Sequence, residues 1–267
     1  MTAAPYFDLA HLFPADLPQL AGRLARGETG AEQELHEAFL RTFEALPFGR
    51  PFTFREQYGG AIVHDVRPAA GHEAEESSRG RVTLPFHTDD GFLDPGARPE
   101  HLALLGITNP EQVPTNVVRI ESVLELLPAE TIEVLRSPLF TLACPDSFEA
   151  PQGITENVPA RPILWTGKDG RPEVSFAPDT RPIDGAPDEA GAHMERFAAA
   201  VSDATRTTVV LEPGEILVFS NSRCLHGRPP VEAERWMKRL YLRGDLGFLD
   251  FVAATDEPSV YEAARAV

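Results

Sequence analysis

The segment Phe86-His87-Thr88-Asp89 sets an imidazole two residues before a carboxylate. Where an extended strand runs into a turn, side chains two apart point the same way, so His87 and Asp89 can grip one ion together. A second histidine from a distant part of the chain would complete the facial triad, two imidazoles and one carboxylate, that leaves coordination positions open on Fe(II). His226, in Leu225-His226-Gly227-Arg228, is placed for this role just past the end of a buried strand read over 215–220. A second pair of the same kind, His193-Met194-Glu195, falls in a helical stretch. There, positions two apart diverge by about 200° and cannot share a metal. The remaining histidines, His11, His36, His64, His72 and His101, stand in no such pattern and read as structural.

Shortly after His226, the run from Arg235 to Arg243 places arginines at 235, 239 and 243. On a strand all three point to one face. A row of guanidiniums needs anionic partners, and a guanidinium fork binds a carboxylate through two parallel bonds. The dicarboxylate 2-oxoglutarate supplies such a partner, and together with O2 it would use the open positions on Fe(II). Ion pairing with Glu232, Glu234 or Asp245 is the alternative, and it is the reading that suits Arg235.

Such residues need a β scaffold. Short segments over 60–66, 81–87, 116–120, 162–165, 173–176, 207–211, 215–220 and 239–242 are separated by Pro, Gly and Asp turns, the pattern of a sandwich or barrel. Leu35, Phe39, Leu40, Phe43 and Leu46 recur at helical spacing and predict an amphipathic helix over 31–46. Two more helices are expected over 122–135 and 188–204. The 25 prolines and 20 glycines are dispersed and no repeat is visible, so one domain is expected over 1–267. Its helical N-terminal part would span about 15–46 and its β core about 52–246. The acidic, loop-like stretches 144–157 and 177–191 read either as borders of a site or as plain surface connectors.

Composition narrows the partners. The chain carries 24 Lys plus Arg against 41 Asp plus Glu, a formal charge of -17, which disfavours nucleic acid and anionic lipid. Cys144 and Cys224 form no cysteine-rich metal spacing, and nothing resembles a secretory signal peptide. No apolar run approaches the roughly 18 residues of a membrane span. A soluble cytoplasmic protein acting on a small molecule is expected, with the oligomeric state left open.

Taken together, the chain resembles the clavaminate synthase-like branch of the Fe(II)/2-oxoglutarate oxygenases, within the TauD/TfdA superfamily. It is most similar to the asparagine and arginine 3-hydroxylases of peptide antibiotic pathways. The resemblance runs from about Phe52 to Leu246. It is carried by Glu56-Gln57-Tyr58-Gly59-Gly60, Glu76-Ser77-Ser78, Phe86-His87-Thr88-Asp89, Val113-Pro114-Thr115-Asn116, Glu212-Pro213-Gly214-Glu215, and His226-Gly227-Arg228 followed by Arg235-Trp236-Met237-Lys238-Arg239.

What the resemblance implies is a mainly β protein with flanking helices, built as a double-stranded β-helix (a cupin-like jelly roll). His87, Asp89 and His226 would bind iron, and Arg239, assisted by Thr115, the remote carboxylate of 2-oxoglutarate. Gln57 and Asp89 would face the substrate amino group, Arg243 its carboxylate, and Asp179 a side-chain amide or guanidinium. The implied reaction is hydroxylation, at or near Cβ, of a free polar or basic L-amino acid, with release of succinate and CO2. Desaturation, ring formation, or a taurine dioxygenase-like oxidation of a sulfonate or carboxylate are the enzymatic alternatives, and a cupin-like metal-binding protein without turnover is the other. Two departures stand out: the close relatives usually carry Glu at the position of Asp89, and the span from His226 to Arg239 is one residue short. A carboxylate at 89 argues against halogenation, which needs that ligand position vacant.

Overall fold

The computed structural model describes residues 8–145, 148, 159–247, 249 and 259–263. The stretch predicted as a loop over 144–157 therefore lies outside the described residues, apart from Cys144, Pro145 and Phe148. The chain opens with strand β1 (Leu9–Leu12), helices α1 (Leu17–Ala25) and α2 (Ala31–Thr42), and strands β2 (Arg50–Phe54), β3 (His64–Val66), β4 (Leu84–His87), β5 (His101–Thr108) and β6 (Thr115–Arg119). Helices α3 (Ile120–Leu124) and α4 (Ala129–Leu135) follow, then short strands β7 (Phe140–Thr141), β8 (Leu164–Thr166), β9 (Pro172–Val174) and β10 (Arg181–Pro182), and helix α5 (Ala190–Asp203). Strands β11 (Arg206–Val209), β12 (Ile216–Ser220), β13 (Cys224–Arg228), β14 (Trp236–Arg243) and β15 (Val260–Tyr261) complete a mainly β protein with helices.

Three expectations shift. The helix read over 31–46 ends at Thr42. The one read over 122–135 is two helices, because Pro128, extended at ψ 147, caps the second and a proline disfavours helical backbone in the residue before it. His226 lies inside strand β13 rather than past the end of the preceding strand.

Two sheets organise the chain. The larger runs β1-β12-β5-β14-β2-β15, with β3 also paired to β14, and the smaller runs β11-β6-β13-β4. Alternation along the strands divides their side chains. Ala103, Leu105, Ile216, Val218, Leu240 and Leu242 turn outward onto Leu17, Ala21, Leu35 and Phe39 of α1 and α2. Val118 and Leu225 turn outward from the smaller sheet onto Phe197 and Val201 of α5. The opposite parity, Leu104, Val117, Leu217, Phe219, Cys224 and Tyr241, forms an inner cluster drawn from both sheets. Covered on both faces, these strands read as continuous apolar runs rather than as simple alternation. Lys238, buried on the helix-facing side of β14, ties α2 and β3 to the sheet through Glu32 (2.5 Å) and Asp65 (2.9 Å). Among the described residues no helix is long and apolar enough to cross a membrane.

Candidate active site

His87, His226, Thr115 and Arg239 occupy inward-facing positions, so the parity that builds the inner core also gathers the polar groups at one end of it. Strand β13 pairs antiparallel with both β4 and β6, and His226 sits directly opposite His87, with ring centroids 4.2 Å apart. Asp89 lies two residues beyond β4. Its peptide is clamped by Asn221, whose Oδ1 accepts from Asp89 N (2.8 Å) and whose Nδ2 donates to Asp89 O (2.9 Å). Asp89 Oδ1 lies 3.2 Å from His87 Nε2 and 3.7 Å from His226 Nε2. Among the described residues these three form the one cluster able to hold a metal, with ligand atoms within 4.8 Å of one another.

The donor set fits a divalent first-row metal such as iron(II). Cis ligand atoms about 2.1 Å from a metal lie roughly 3 Å apart, near the His–Asp spacings seen here. His87 Nδ1 meets Pro85 O at 2.8 Å, which fixes that nitrogen as the N–H and leaves the Nε2 lone pair facing the cluster. Burial, then the neighbouring His87, pushes His226 down to about 3, so its imidazole is neutral. Burial alone would raise the Asp89 carboxyl, but Arg239 and the two histidines hold it well below the usual carboxylate range.

Gly227 explains the close approach of the two histidine strands. A Cβ there would stand 2.6 Å from Leu84 O and 3.2 Å from Phe86 N, both backbone atoms of β4. Gly227→Ala is expected to force β4 and β13 apart at a cost of about 1–3 kcal/mol, and to weaken metal binding although residue 227 offers no ligand. A calorimetric titration with Fe(II) or Mn(II), excluding O2, checks this; wild-type affinity would remove the strand spacing from the account.

A cavity of about 520 Å³ opens over the cluster, lined among others by Gln57, Asp90, Thr115, Asp179, Arg235 and Arg239. Arg239 donates to Asp89 Oδ2 at 2.6 Å and lies within 3.3 Å of Tyr58 Oη and His64 Nδ1. Tyr241 Oη donates to the same Asp89 oxygen at 3.2 Å. Arg235, read from the sequence as ion-paired with Glu232, Glu234 or Asp245, is instead buried away from all three. It donates to Thr115 Oγ1 at 2.8 Å and to Val113 O at 3.4 Å, and among the described residues no carboxylate pairs with it. Burial, with Arg228 nearby, lowers it to about 9.

Arg243 is not brought to the cavity. Its guanidinium donates to the carbonyls of Asp245 (2.7 Å), Arg98 (2.6 Å) and Pro95 (3.3 Å). Gln57 Nε2 reaches Tyr241 Oη at 3.1 Å and Asp90 Oδ1 at 3.3 Å. Burial and the Asp89 charge push the Asp90 carboxyl up to about 8. Asp179 lines the cavity while its Oδ2 accepts from Ala143 N at 3.1 Å.

Asn221, Tyr241, Asp90 and Arg235 carry parts of this site that the sequence reading did not assign to it. The only available signal was for Arg235, which its four-residue spacing from Arg239 put on the same face of the expected strand.

A family model described as Taurine catabolism dioxygenase TauD, TfdA family matches residues 24–241. The L-asparagine oxygenase of Streptomyces coelicolor is 31% identical over 229 residues, covering 82% of this chain and 65% of that protein. The L-ornithine/L-arginine 3-hydroxylase of Catenulispora acidiphila is 29% identical over 244 residues, covering 80% of this chain and 69% of that protein. Among solved structures, the non-heme iron oxygenase OrfP, in complex with Fe, succinate and (3S)-hydroxy-L-Arg, superposes with a TM-score of 0.76 at 25% identity, over 96% of this chain and 82% of that one. This chain thus spans about two thirds of the length of these two curated relatives.

Proposed function

We propose, from the premise that this chain belongs to the taurine catabolism dioxygenase TauD, TfdA family, that it hydroxylates a free polar or basic L-amino acid at Cβ. It would use iron(II), 2-oxoglutarate and O2, and release succinate and CO2. The observation that carries this reading is one cavity holding a His–Asp–His ligand set and, beside it, a buried arginine that no carboxylate among the described residues pairs with. The relatives' names, an asparagine oxygenase and an ornithine/arginine 3-hydroxylase, support the substrate class. Two sheets sharing an inner core, together with the likeness to OrfP, support a double-stranded β-helix.

Iron with 2-oxoglutarate and O2 supplies the oxidising chemistry; the protein's own residues bind, orient and exclude water. His87, Asp89 and His226 hold the metal. Arg235 and Thr115 take the remote carboxylate of 2-oxoglutarate, the role the family resemblance gave to Arg239 with Thr115. Arg239, anchored on Asp89 between Tyr58 and Tyr241, then faces the substrate carboxylate in place of Arg243. Asp179 at the cavity wall suits an amide or a cationic side chain, and an acidic substrate would meet like-charge repulsion there.

The test is a screen of the common L-amino acids, their D-forms and simple sulfonates with iron, ascorbate and 2-oxoglutarate, reading succinate and a product heavier by one oxygen atom. Succinate release that depends on an L-amino acid is expected. Turnover of a sulfonate alone would move the chain to the taurine-type reaction, and iron binding without any succinate would make it a metal-binding protein.

A further inference from the structure

Beside the metal ligands, residues of the cavity wall carry two acceptor oxygens that no donor among the described residues satisfies. Gln57 and Asp90 are 1% and 5% exposed. The Gln57 amide nitrogen is spent on Asp90 Oδ1 and Tyr241 Oη, while Gln57 Oε1 and Asp90 Oδ2 have no hydrogen-bond partner among the described residues. Buried polar atoms are nearly always paired, and an unpaired one costs the full loss of its hydration. Two such acceptors, on side chains joined by a hydrogen bond, call for one donor group able to serve both. Among the described residues no cationic side chain forms an ion pair with Asp90. The neighbouring Asp89 is differently placed, with Oδ1 among the ligand atoms and Oδ2 held by Arg239 and Tyr241.

We infer that Asp90, together with Gln57, binds the α-ammonium group of the amino-acid substrate, taking the place of the metal-binding carboxylate in reading that group. The inference rests on the amino-acid oxygenase reading given above. An ammonium carries three N–H donors, enough to satisfy Gln57 Oε1 and Asp90 Oδ2 together, and its hydrogen bond to a carboxylate is charge-assisted. With Arg239 on the carboxylate and Asp90 on the ammonium, both ends of the zwitterion are held and the side chain is left to point elsewhere in the cavity. The backbone at Asp90 is left-handed, φ 54, a conformation that Asp and Asn tolerate better than most residues, so Asp90→Asn preserves backbone and shape while removing the ionisable group.

The experiment measures binding by calorimetry, without O2, to the protein loaded with metal and 2-oxoglutarate. The probes are L-asparagine, L-arginine and L-lysine, each against the counterpart that lacks only the α-amine: succinamate, 5-guanidinopentanoate and 6-aminohexanoate. Wild-type protein is expected to bind at least one amino acid well ahead of its counterpart. Asp90→Asn should weaken that amino acid by about 10- to 100-fold and leave the counterpart nearly unchanged. Asp90→Gly, which also accepts a positive φ, repeats the comparison should the amide variant fold poorly. Unchanged discrimination in a folded variant, or an equal loss for both ligands, overturns the role of Asp90 while the oxygenase reading stands. A wild-type protein indifferent to the amine overturns this inference and the amino-acid reading together.

Discussion

Asp89→Ala is expected to reduce succinate release to background and to lower the melting temperature as well, whereas His87→Ala and His226→Ala should lose turnover with little change in stability. All three remove a ligand atom from the one metal-holding cluster found among the described residues. Only Asp89 also neutralises a buried guanidinium, and Arg239 stands against it at 2.6 Å. Removing one partner of a buried ion pair costs about 3–5 kcal/mol, which for a chain of this size corresponds to roughly 6–20 °C in melting temperature. Asp89→Asn should fall between, keeping a hydrogen-bond acceptor for Arg239 but losing the charge. Thermal melts of the metal-free variants, run beside succinate assays, check both halves. An Asp89→Ala protein as stable as His87→Ala would mean that Arg239 finds another anion, and turnover in any of the three would take that residue out of the ligand set.

Arg235, just before β14, and Arg239 and Arg243 on it should separate cleanly when each is changed to Ala. Arg235→Ala is expected to raise the 2-oxoglutarate requirement by at least about 30-fold, because losing one member of a desolvated charge pair costs about 2–5 kcal/mol. Its amino-acid requirement should move far less. Arg239→Ala should do the reverse, raising the amino-acid requirement most. Arg243→Ala should leave both requirements close to wild type and destabilise the fold, since its bonds go to the carbonyls of Asp245, Arg98 and Pro95. Lys at 235 should rescue poorly, because an ammonium cannot reproduce the planar fork. Steady-state titrations of each variant in both ligands decide the matter. If Arg239→Ala loses 2-oxoglutarate and Arg235→Ala does not, the assignment reverts to the one implied by the family resemblance.

That contrast marks where the sequence stops being informative. His87 and Asp89 were legible because a period of two on an extended segment fixes their common direction. The rival pair at 193 and 195 was excluded by helical geometry, and α5 indeed buries His193 against Thr131 Oγ1 at 3.0 Å. The arginines at 235, 239 and 243 share one parity, so spacing alone could not tell which meets a ligand and which meets backbone. Only the place of each before or along β14, and what faces it from β6 and from the segment around Arg98, separates them. Gln57 gave no local pattern, and its place came from the family resemblance. Asn221 gave none either, since its clamp on Asp89 joins positions 132 residues apart. The division of the 122–135 helix was visible in Pro128. The burial of strands such as β5, with helices on one face and the inner core on the other, hid the alternation that would have announced it.

The Arg239–Asp89 pair has a further consequence, for the denticity of the carboxylate. A carboxylate with both oxygens free can chelate a cation and occupy two of its coordination positions. At Asp89 the second oxygen is already engaged by a guanidinium and a phenol, so Asp89 would offer a metal Oδ1 alone. His87, Asp89 and His226 would then offer a bound metal one atom each, which would leave room beside it for exogenous ligands. The group proposed to grip the substrate carboxylate thereby also restrains the second oxygen of Asp89, so a change at position 239 would free that oxygen to bind a metal as well as alter what lies beside it.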